Sequence, residues 1–482
     1  MALENMLPLA IIVVPFIAAL LSFAAGKIDK RMRDGLVFAA SAGAFVGVIS
    51  LIRMVLQGSI YTFKTYGLLF RVDEMSVILA FVTSTLWLMS IVYSTKYMEG
   101  KNNPDRYYAS LLLTLAGCLG VAFSGGVMEL FIFFEMASLV PYVLILHSHS
   151  SQAHKAASKY LYMSIVGGFL MFYGVVVTYW VKETGDFSVI GSGEALPVTA
   201  LVAFLISFGI KGGIVPLHSW LPDAHSVSPS SVSCLLSGIT VKVGMFGFIK
   251  LVYYISPAYF SENSVWVDVL LWMAVISIML GSIVAIGQKR IKRMLAYSTI
   301  SQMGYILLGI ALMTHRGLVG ALYHFFAHSL MKGSLFMIAG AVKHKKDIVY
   351  LEDFRGLGRE MPITMMCYTV AALSMVGIPL FSGFTSKWYL GLGSLDAGKP
   401  FYLGVLLLSS LLNVIYFFPP AINAFFPKDT VHNKKGALRM DELHPLMLVP
   451  IMALIAGVIY GGIFDNFMLE LASKATARIM IR

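Results

Sequence analysis

Hydrophobic residues run through this chain in long blocks that are separated by short polar stretches. A block of about 20 apolar residues is long enough to cross a bilayer as a helix. Such blocks recur from one end of the sequence to the other, and the pattern predicts about fourteen transmembrane spans. Their approximate centres lie near Val14, Ala44, Val82, Leu113, Phe133, Phe169, Phe204, Leu235, Val275, Tyr305, Ala327, Leu373, Leu407 and Leu454.

The composition agrees with a multi-pass membrane protein. Of the 482 residues, 58% are hydrophobic and 13% are charged, and the mean hydropathy of +0.80 lies well outside the range of soluble proteins. The first apolar block follows a short acidic stretch and has no obvious cleavage site, so we expect a first span and not a signal peptide. The sequence thus predicts an all-α polytopic membrane protein, embedded in the lipid bilayer of the cell (cytoplasmic) membrane.

Cysteine usage and charge exclude several classes of function. Cys118, Cys234 and Cys367 are isolated within predicted spans, which gives neither a disulfide framework nor the clustered spacing of iron–sulfur or zinc ligands. The net charge of +11 comes mainly from short loops between spans, so we expect no nucleic-acid partner. We also expect no redox chemistry and no cofactor in this chain.

The basic residues are distributed unevenly between the two sets of loops. Lys and Arg divide roughly twenty to five between alternate loops, which places the basic set on the cytoplasmic side by the positive-inside rule. Both termini are then extracytoplasmic. The basic loops are 27–33, 96–106, 288–293 and 343–346.

Two pairs of related segments indicate an internal repeat within one membrane domain, 1–482. SIVGGFLMFYG (164–174) resembles SLMKGSLFMIAG (329–340), and GGIVPLHSW (212–220) resembles VGIPLFSGF (376–384). The shared offset of about 165 residues corresponds to about five spans, and an odd number of spans requires the second copy to be inverted. We predict inverted five-helix repeats over about 105–255 and about 264–425.

Each repeat carries glycine and proline in the middle of a span, at GGIVP (212–216) and GIPLFSG (377–383). Proline removes a backbone donor and clashes with the preceding turn, so we expect two broken helices. A harmless kink in a packed helix is the alternative. Two breaks at corresponding positions of a repeat favour an ion or substrate pathway.

Ionisable side chains interrupt several predicted spans. Glu135 lies in MELFIFFEMASLVPYVLI, far from any polar loop, while Lys211 and Lys242 lie in ISFGIKGGIVP and SGITVKVGMFGF. A carboxylate at this depth needs a proton or a basic partner. A lysine in a low-dielectric site readily exchanges its proton. The alternative is a buried pair that only fixes helix register.

A second group follows along the chain. In YHFFAHSLMKGSLF, the residues His324, His328 and Lys332 are spaced by four and therefore lie on one helical face, about 6 Å apart. Lys387 follows the second predicted break in SGFTSKWYL. As alternatives, each histidine could be a satisfied core residue and Lys387 could extend to the membrane interface. A metal site is disfavoured because no carboxylate or cysteine lies nearby in sequence to complete it.

Three further histidines, His147, His149 and His154, are expected to lie in a solvated loop after the Glu135 span, from which they could supply protons from the cytoplasm.

These motifs resemble the Mrp-antiporter-like proton-translocating subunits of complex I, Mrp-type antiporters, membrane-bound hydrogenases and sulfane reductases. The specific pieces are FFEMASLVPYVLI, KGGIVPLHSWLPDAH, the KVG of TVKVGMFGF, KRMLAYSTISQMGY, HFFAHSLMKGSLFMIAG and GIPLFSGFTSK. They cover about Glu129 to Lys387, and the hydrophobic layout extends the resemblance over nearly the whole chain. Only a short stretch follows the last predicted span. In this respect the chain resembles the shorter, fourteen-span members of the family.

The resemblance implies roles for the matching positions. Glu135 and Lys211 would form a coupled ion pair, and Lys387 would be the exit residue. Two positions depart from the family pattern: Ser237 stands where many relatives have histidine, and Lys250 where arginine is common. The implied central relay is either Lys242 or the group His324, His328 and Lys332.

Two classes of function follow from the resemblance. The first is a proton-translocating subunit of a redox-driven complex, with other membrane subunits and, indirectly, a soluble iron–sulfur or hydrogenase-like module as partners. The second is a subunit of an Mrp-type multisubunit Na⁺/H⁺ antiporter, and a solitary transporter is a third possibility. The translocated ions are protons and, in the second class, also Na⁺.

Overall fold

The computed structural model describes residues 2–261, 264–426, 440–464 and 466–481. Helices dominate, and the first part of the chain contributes eleven α-helices. These are α1 (Ala2–Gly26), α2 (Lys30–Leu56), α3 (Glu74–Tyr97), α4 (Pro104–Ala122), α5 (Val127–Leu139), α6 (Pro141–Ile145), α7 (Ser151–Lys182), α8 (Val198–Gly212), α9 (Trp220–Val227), α10 (Ser230–Leu235) and α11 (Val241–Lys250).

The second part of the chain contributes nine more α-helices to the described structure. These are α12 (Val265–Ile286), α13 (Ile291–Ala311), α14 (His315–Lys346), α15 (Leu357–Glu360), α16 (Pro362–Val376), α17 (Ser382–Asp396), α18 (Pro400–Phe425), α19 (Pro445–Ile463) and α20 (Asn466–Met480). Short 3₁₀ turns lie at Leu146–Ser148, Pro257–Tyr259 and Leu351–Phe354, and π-helical turns at Leu236–Thr240 and Leu251–Ile255.

Each of the fourteen predicted span centres falls within a helix, so the all-helical fold class is confirmed. Within the described residues, eleven helices are long and apolar enough to cross a membrane, and two shorter apolar helices, α8 and α16, accompany them. The count of fourteen spans is not confirmed. The helix α4 contains the remaining predicted centre but is not among these thirteen.

A small β-hairpin between α2 and α3 was not predicted. Strands β1 (Tyr61–Thr65) and β2 (Leu68–Val72) pair antiparallel around the turn Tyr66–Gly67. Both turn residues have positive φ, 48° and 80°, which a two-residue hairpin of the primed type requires and glycine adopts without strain. The alternation of aromatic and polar residues in the sequence YTFKT of β1 is the local signal that could have revealed the hairpin.

The centre of the bundle is formed by α14 and by the span Ser230–Ile255, whose apolar segments are wholly enclosed by other helices. Every residue of α14 from Gly317 to Val342 is buried. In contrast, α1, α18 and α19 leave most of their apolar surface facing outward, as expected for helices that contact lipid. Polar side chains on α14 are thereby kept from lipid.

Both predicted helix breaks are present. The helix α8 ends at Gly212, and its cap Gly213 has a left-handed φ of 65° before the chain resumes a helix at Trp220. The helix α16 ends at Val376, its cap Gly377 has a φ of 94°, and α17 begins at Ser382. Glycine takes this conformation at little cost, and the following proline cannot continue the helix.

The four basic loops lie at the same end of the bundle, where Lys101, Lys292 and Lys343 of the second, third and fourth loops line one cavity. Arg33 forms an ion pair with Asp105 at 2.7 Å, which joins the first two loops. The third loop pairs with the chain after α14, where Ile291 N donates to Val349 O at 3.1 Å. The helix α1 runs to this end of the bundle from the opposite one, and the side of the membrane on which each end lies stays a prediction.

The last helix, α20, is amphipathic and packs its apolar face on α3 and α14. Arg478 makes two hydrogen bonds of 2.8 Å to the carboxylate of Glu74, which is 4% exposed at the start of α3. This helix was not predicted, because its 15 residues are fewer than a membrane span requires.

Candidate functional site

The seven residues singled out by sequence lie on five helices that surround the bundle centre. Five of these residues are fully buried: Lys211 on α8, Lys242 on α11, and His324, His328 and Lys332 on α14. Glu135 on α5 and Lys387 on α17 are partly exposed. Buried ammonium groups must be hydrogen bonded, so their partners define the chemistry of the site.

Lys211 is held at an interruption between two helices. Pro141, at the start of α6, has no N–H, so the carbonyl of Ala137 four residues earlier lacks its normal helical donor. Lys211 Nζ donates to this oxygen at 2.8 Å and to the hydroxyl of Tyr160 at 3.3 Å. The ammonium thus contacts a main-chain dipole and a neutral hydroxyl.

Glu135 does not form an ion pair with Lys211 in the described structure. Its carboxyl group packs against Gly168 on α7, where an added Cβ would approach Oε2 to 2.5 Å. Its Oε1 is buried and has no hydrogen-bond partner among the described residues. The direct pair implied by the family resemblance is therefore not formed in this conformation, and coupling between the two groups stays a prediction.

A small cavity of about 10 Å³ lies beside Lys211. The hydroxyl groups of Ser138 and Ser207 line it and make no other hydrogen bond in the described structure. A polar space of this size accommodates about one water molecule. Such a water would extend the reach of the ammonium beyond its direct partners.

Lys242 is held by a π-helical turn. In Leu236–Thr240 the N–H of Val241 bonds the carbonyl of Leu236, five residues earlier, and not that of Ser237. The Ser237 carbonyl is thereby available, and Lys242 Nζ donates to it at 2.7 Å. π-Turns of this kind occur often at functional sites. Here Ser237 contributes its backbone to the site, while its hydroxyl bonds Thr299 at 2.7 Å.

The same ammonium group reaches α14. Lys242 Nζ lies 2.5 Å from His328 Nδ1, and the rings of His328 and His324 are 5.5 Å apart. His324 Nδ1 in turn contacts Ser386 Oγ on α17 at 2.8 Å. Neither Nε2 atom has a partner in the described structure, as expected from a spacing too long for a direct bond between the imidazoles.

Lys387 lies just beyond this group, at the second broken helix. Its Nζ donates to the carbonyls of Met375 and Val376 at 2.8 and 2.9 Å and to Ser410 Oγ at 3.1 Å. The last carbonyls of a helix have no partner within that helix and carry a partial negative charge. The break in the span thus creates the binding site for the ammonium.

Tyr305 connects the two groups. Its ring stacks on His324 with centroids 5.9 Å apart, and Lys387 Nζ lies 5.2 Å from the same ring. Neither Tyr305 nor Ser386 was singled out from sequence, although both lie in the quoted motifs KRMLAYSTISQMGY and GIPLFSGFTSK. Their proximity depends on the packing of α13, α14 and α17, which sequence spacing does not reveal.

Lys332 points away from the line of groups described above. Its Nζ donates to Leu295 O at 2.8 Å and to the hydroxyl of Ser298, both on α13. The expected stripe His324, His328 and Lys332 does lie on one helix. However, the structure connects the two histidines to Lys242 and Ser386 and directs Lys332 to another helix.

The three histidines expected in the loop after the Glu135 span differ in exposure. His147 is 8% exposed and packs edge-on against Tyr107, so the expectation that it is solvated was wrong; His149 and His154 are exposed. Within the described residues, no group of three His, Cys, Asp or Glu side chains is placed to hold a metal ion. The groups that the fold brings together at this site are lysines, histidines and hydroxyls, which can exchange protons.

Comparison with known proteins agrees with this architecture. Residues 124–413 match the family described as "NADH:quinone oxidoreductase/Mrp antiporter, TM". NADH-quinone oxidoreductase subunit N of Desulforudis audaxviator is 34% identical over 95% of this chain and 96% of its own length. A Na⁺/H⁺ antiporter subunit of Bacillus subtilis is 28% identical over 93% of this chain and 92% of its own.

A solved structure of similar fold is part of a complex. One chain of the Mrp complex from Dietzia sp. superposes with a TM-score of 0.90 at 23% identity, covering 100% of this chain and 98% of the other. The match in sequence extends over the broken helices, α14 and Lys387. The protein is therefore a multi-pass, antiporter-like membrane subunit that belongs to the NADH:quinone oxidoreductase/Mrp antiporter family.

Proposed function

We propose that this chain translocates protons across the cell membrane as one subunit of a redox-driven complex. The observation that carries the proposal is the line of buried groups Lys242, His328, His324 and Ser386, which ends beside Lys387. Ionisable groups in the membrane interior are costly and are typical of proton pathways. A connected line of them is difficult to explain by packing alone.

The way the lysines are held supports this role. Lys211, Lys242 and Lys387 bond to carbonyls that interruptions of the helices make available. A carboxylate partner would favour the charged lysine strongly, whereas a neutral dipole allows either protonation state. These three residues therefore suit repeated loading and release of a proton.

We assign a role to each residue along the proposed route. Glu135 sets the electrostatic environment of Lys211, from which the proton passes to Lys242 and along the two histidines to Lys387, the exit residue. Lys332, one turn from His328, repels a second proton on Lys242 and drives it onward. Water molecules complete the gaps that exceed hydrogen-bond distance.

Helix lengths support the predicted repeat over about 105–255 and about 264–425. The helices α7 and α14 both have 32 residues, and α8 and α16 both have 15. The spans Ser230–Ile255 and Pro400–Phe425 both have 26. Under this proposal, Lys211 and Lys387 flank corresponding breaks in the two repeats.

The proposed orientation places the basic loops in the cytoplasm and both termini outside. The buried native cysteines allow a direct test with an impermeant maleimide. A Lys64→Cys variant on the exposed face of the hairpin should be labelled in intact cells, and Lys289→Cys should be labelled only after permeabilisation. Labelling of Lys289→Cys from outside would contradict the orientation.

A second candidate function is supported by the Bacillus subtilis relative, which is named as part of a Na⁺/H⁺ antiporter. In that case an ion gradient drives transport, and Na⁺ moves against protons. Isolation of the tagged chain from its native membrane in mild detergent distinguishes the two. Co-purifying iron–sulfur or hydrogenase-like subunits, with vesicle acidification on addition of an electron donor, would support the redox-driven complex.

Proton movement driven by a Na⁺ gradient in vesicles, with co-purifying antiporter-like subunits and no redox subunit, would support the antiporter. If the reconstituted assembly moves no protons under either driving force, both functions are wrong.

A further inference from the structure

A cavity of about 430 Å³ opens at the end of the bundle that carries the basic loops. The ends of several helices meet around it: α3 and α14 end here, and α10 and α13 begin here. We call it the basic cavity. Its lining includes Lys101, His147, Ser228, Lys292, Lys343 and His344.

Three ammonium groups face the basic cavity from three different loops or helix ends. Lys101 Nζ lies 3.2 Å from the ring centroid of Tyr97, and Lys292 Nζ donates to the Ser228 carbonyl at 2.5 Å. Lys343 is exposed in the last turn of α14. Among the described residues, none of these lysines has a carboxylate within ion-pair distance.

The acidic side chains nearby are already paired elsewhere. Glu99 bonds Lys96 at 2.5 Å, and Asp105 bonds Arg33 at 2.7 Å. No aspartate or glutamate is among the residues that line the basic cavity in the described structure. Three like charges that converge without a counter-ion repel one another, and an anion in the cavity would relieve this repulsion.

Repulsion between these lysines affects the pKa of Lys101, which lies in a loop outside the membrane spans. Burial and the neighbouring charge of Lys343 lower the pKa of Lys101 to about 8. A bound anion would oppose both effects, since it stabilises the protonated ammonium. The imidazoles of His147 and His344 on the wall supply further N–H donors.

We propose that the basic cavity binds a phosphate group, either inorganic phosphate or the headgroup phosphate of an anionic lipid. Lysine ammonium groups are frequent ligands of phosphate, and the cavity offers three of them around a space much larger than a single water requires. Both candidate sources have the same chemistry at the point of contact. The site is separate from the line of residues to which proton translocation is assigned.

Site-resolved acetylation of lysines tests this proposal on the full chain, together with the subunits that co-purify with it. The protein is placed in phosphatidylcholine nanodiscs, and brief labelling by acetic anhydride is quantified by mass spectrometry. One series adds inorganic phosphate, and another replaces part of the lipid by phosphatidylglycerol. Lys155, an exposed lysine outside the basic cavity, is the internal control.

We expect Lys101 to be protected relative to Lys155. Protection by added phosphate in phosphatidylcholine identifies the free anion, and protection only with phosphatidylglycerol identifies the lipid headgroup. The Lys343→Gln variant should raise the ligand concentration for half-protection about fivefold, the effect of one lysine near an anionic headgroup. A ratio of Lys101 to Lys155 labelling that neither phosphate nor phosphatidylglycerol lowers, or protection that Lys343→Gln does not weaken, would overturn the proposal.

Discussion

Lys242 Nζ and His328 Nδ1 form a direct hydrogen bond between α11 and α14, the two most enclosed segments of the bundle. If the lysine is charged it donates this bond, so the imidazole accepts through Nδ1 and carries its proton on Nε2. That second nitrogen is buried without a partner in the described structure. The Nε2 proton of His328 therefore takes part in no hydrogen bond within the described structure.

The Lys242–His328 contact should act as one unit in transport. We expect Lys242→Gln and His328→Gln each to reduce proton translocation on the order of a hundredfold, and the double variant to be no worse than the less active single one. Translocation in reconstituted vesicles measures this, with Lys155→Gln as the surface control. Losses that multiply in the double variant would show that the two residues act independently.

Lys332 and Lys387 test whether the repelling charge beside Lys242 and the exit residue act on one path. Each of Lys332→Ala and Lys387→Ala should impair translocation severely, and their combination should add little. Ser410→Ala is the matched control, because Lys387 retains its two carbonyl acceptors and transport should change by a few fold at most. A fully active Lys387→Ala would exclude this lysine as the exit residue.

Glu135→Gln keeps the volume of the side chain and removes its charge. Transport should fall sharply while assembly is retained, because Lys211 loses the electrostatic influence of the carboxylate. Gly168→Ala should produce a smaller loss of the same kind, since the new Cβ displaces the Glu135 carboxyl group. Gly404→Ala, which meets no atom within 4 Å, is its control. Wild-type vesicle transport in Glu135→Gln would limit this residue to a structural role.

Arg478→Ala should loosen the docking of α20. It leaves the buried Glu74 carboxylate without its bidentate partner, and we expect the local free energy of opening to fall by about 2 kcal/mol. Hydrogen exchange of the α20 amides measures the change. Lys474→Ala breaks an exposed pair on the same helix and should have an effect below about 0.5 kcal/mol. Equal exchange in the two variants would mean that Arg478 does not anchor the helix.

The pKa of Lys101, about 8, should rise in Lys343→Gln. Removal of a nearby positive charge favours the protonated ammonium. The value should still lie below that of a free lysine, because burial is the larger cause of the shift. The pH dependence of acetylation at Lys101 gives the pKa, and Lys155→Gln should leave it unchanged. A lower pKa in Lys343→Gln would contradict the assigned cause.

Sequence revealed the residues of the site better than it revealed their contacts. Charges within apolar blocks identified Glu135, Lys211 and Lys387, and Gly–Pro pairs located both breaks, because these signals are local. The link between Lys242 and His328 joins residues 86 positions apart, and it depends on helix packing that no periodicity encodes. For the same reason, the turning of Lys332 toward α13 was not predicted.

The acceptor for Lys242 is part of the main chain, the carbonyl of Ser237 in a π-turn. No side-chain substitution at position 237 removes it. A local change of this turn to regular α-helix would return the carbonyl to the N–H of Val241 and withdraw it from the lysine. The free energy of protonating Lys242 would then change although no charged side chain had moved. A neighbouring protein that shifts this helix by one residue in hydrogen-bond register would thus act directly on the affinity of the lysine for its proton.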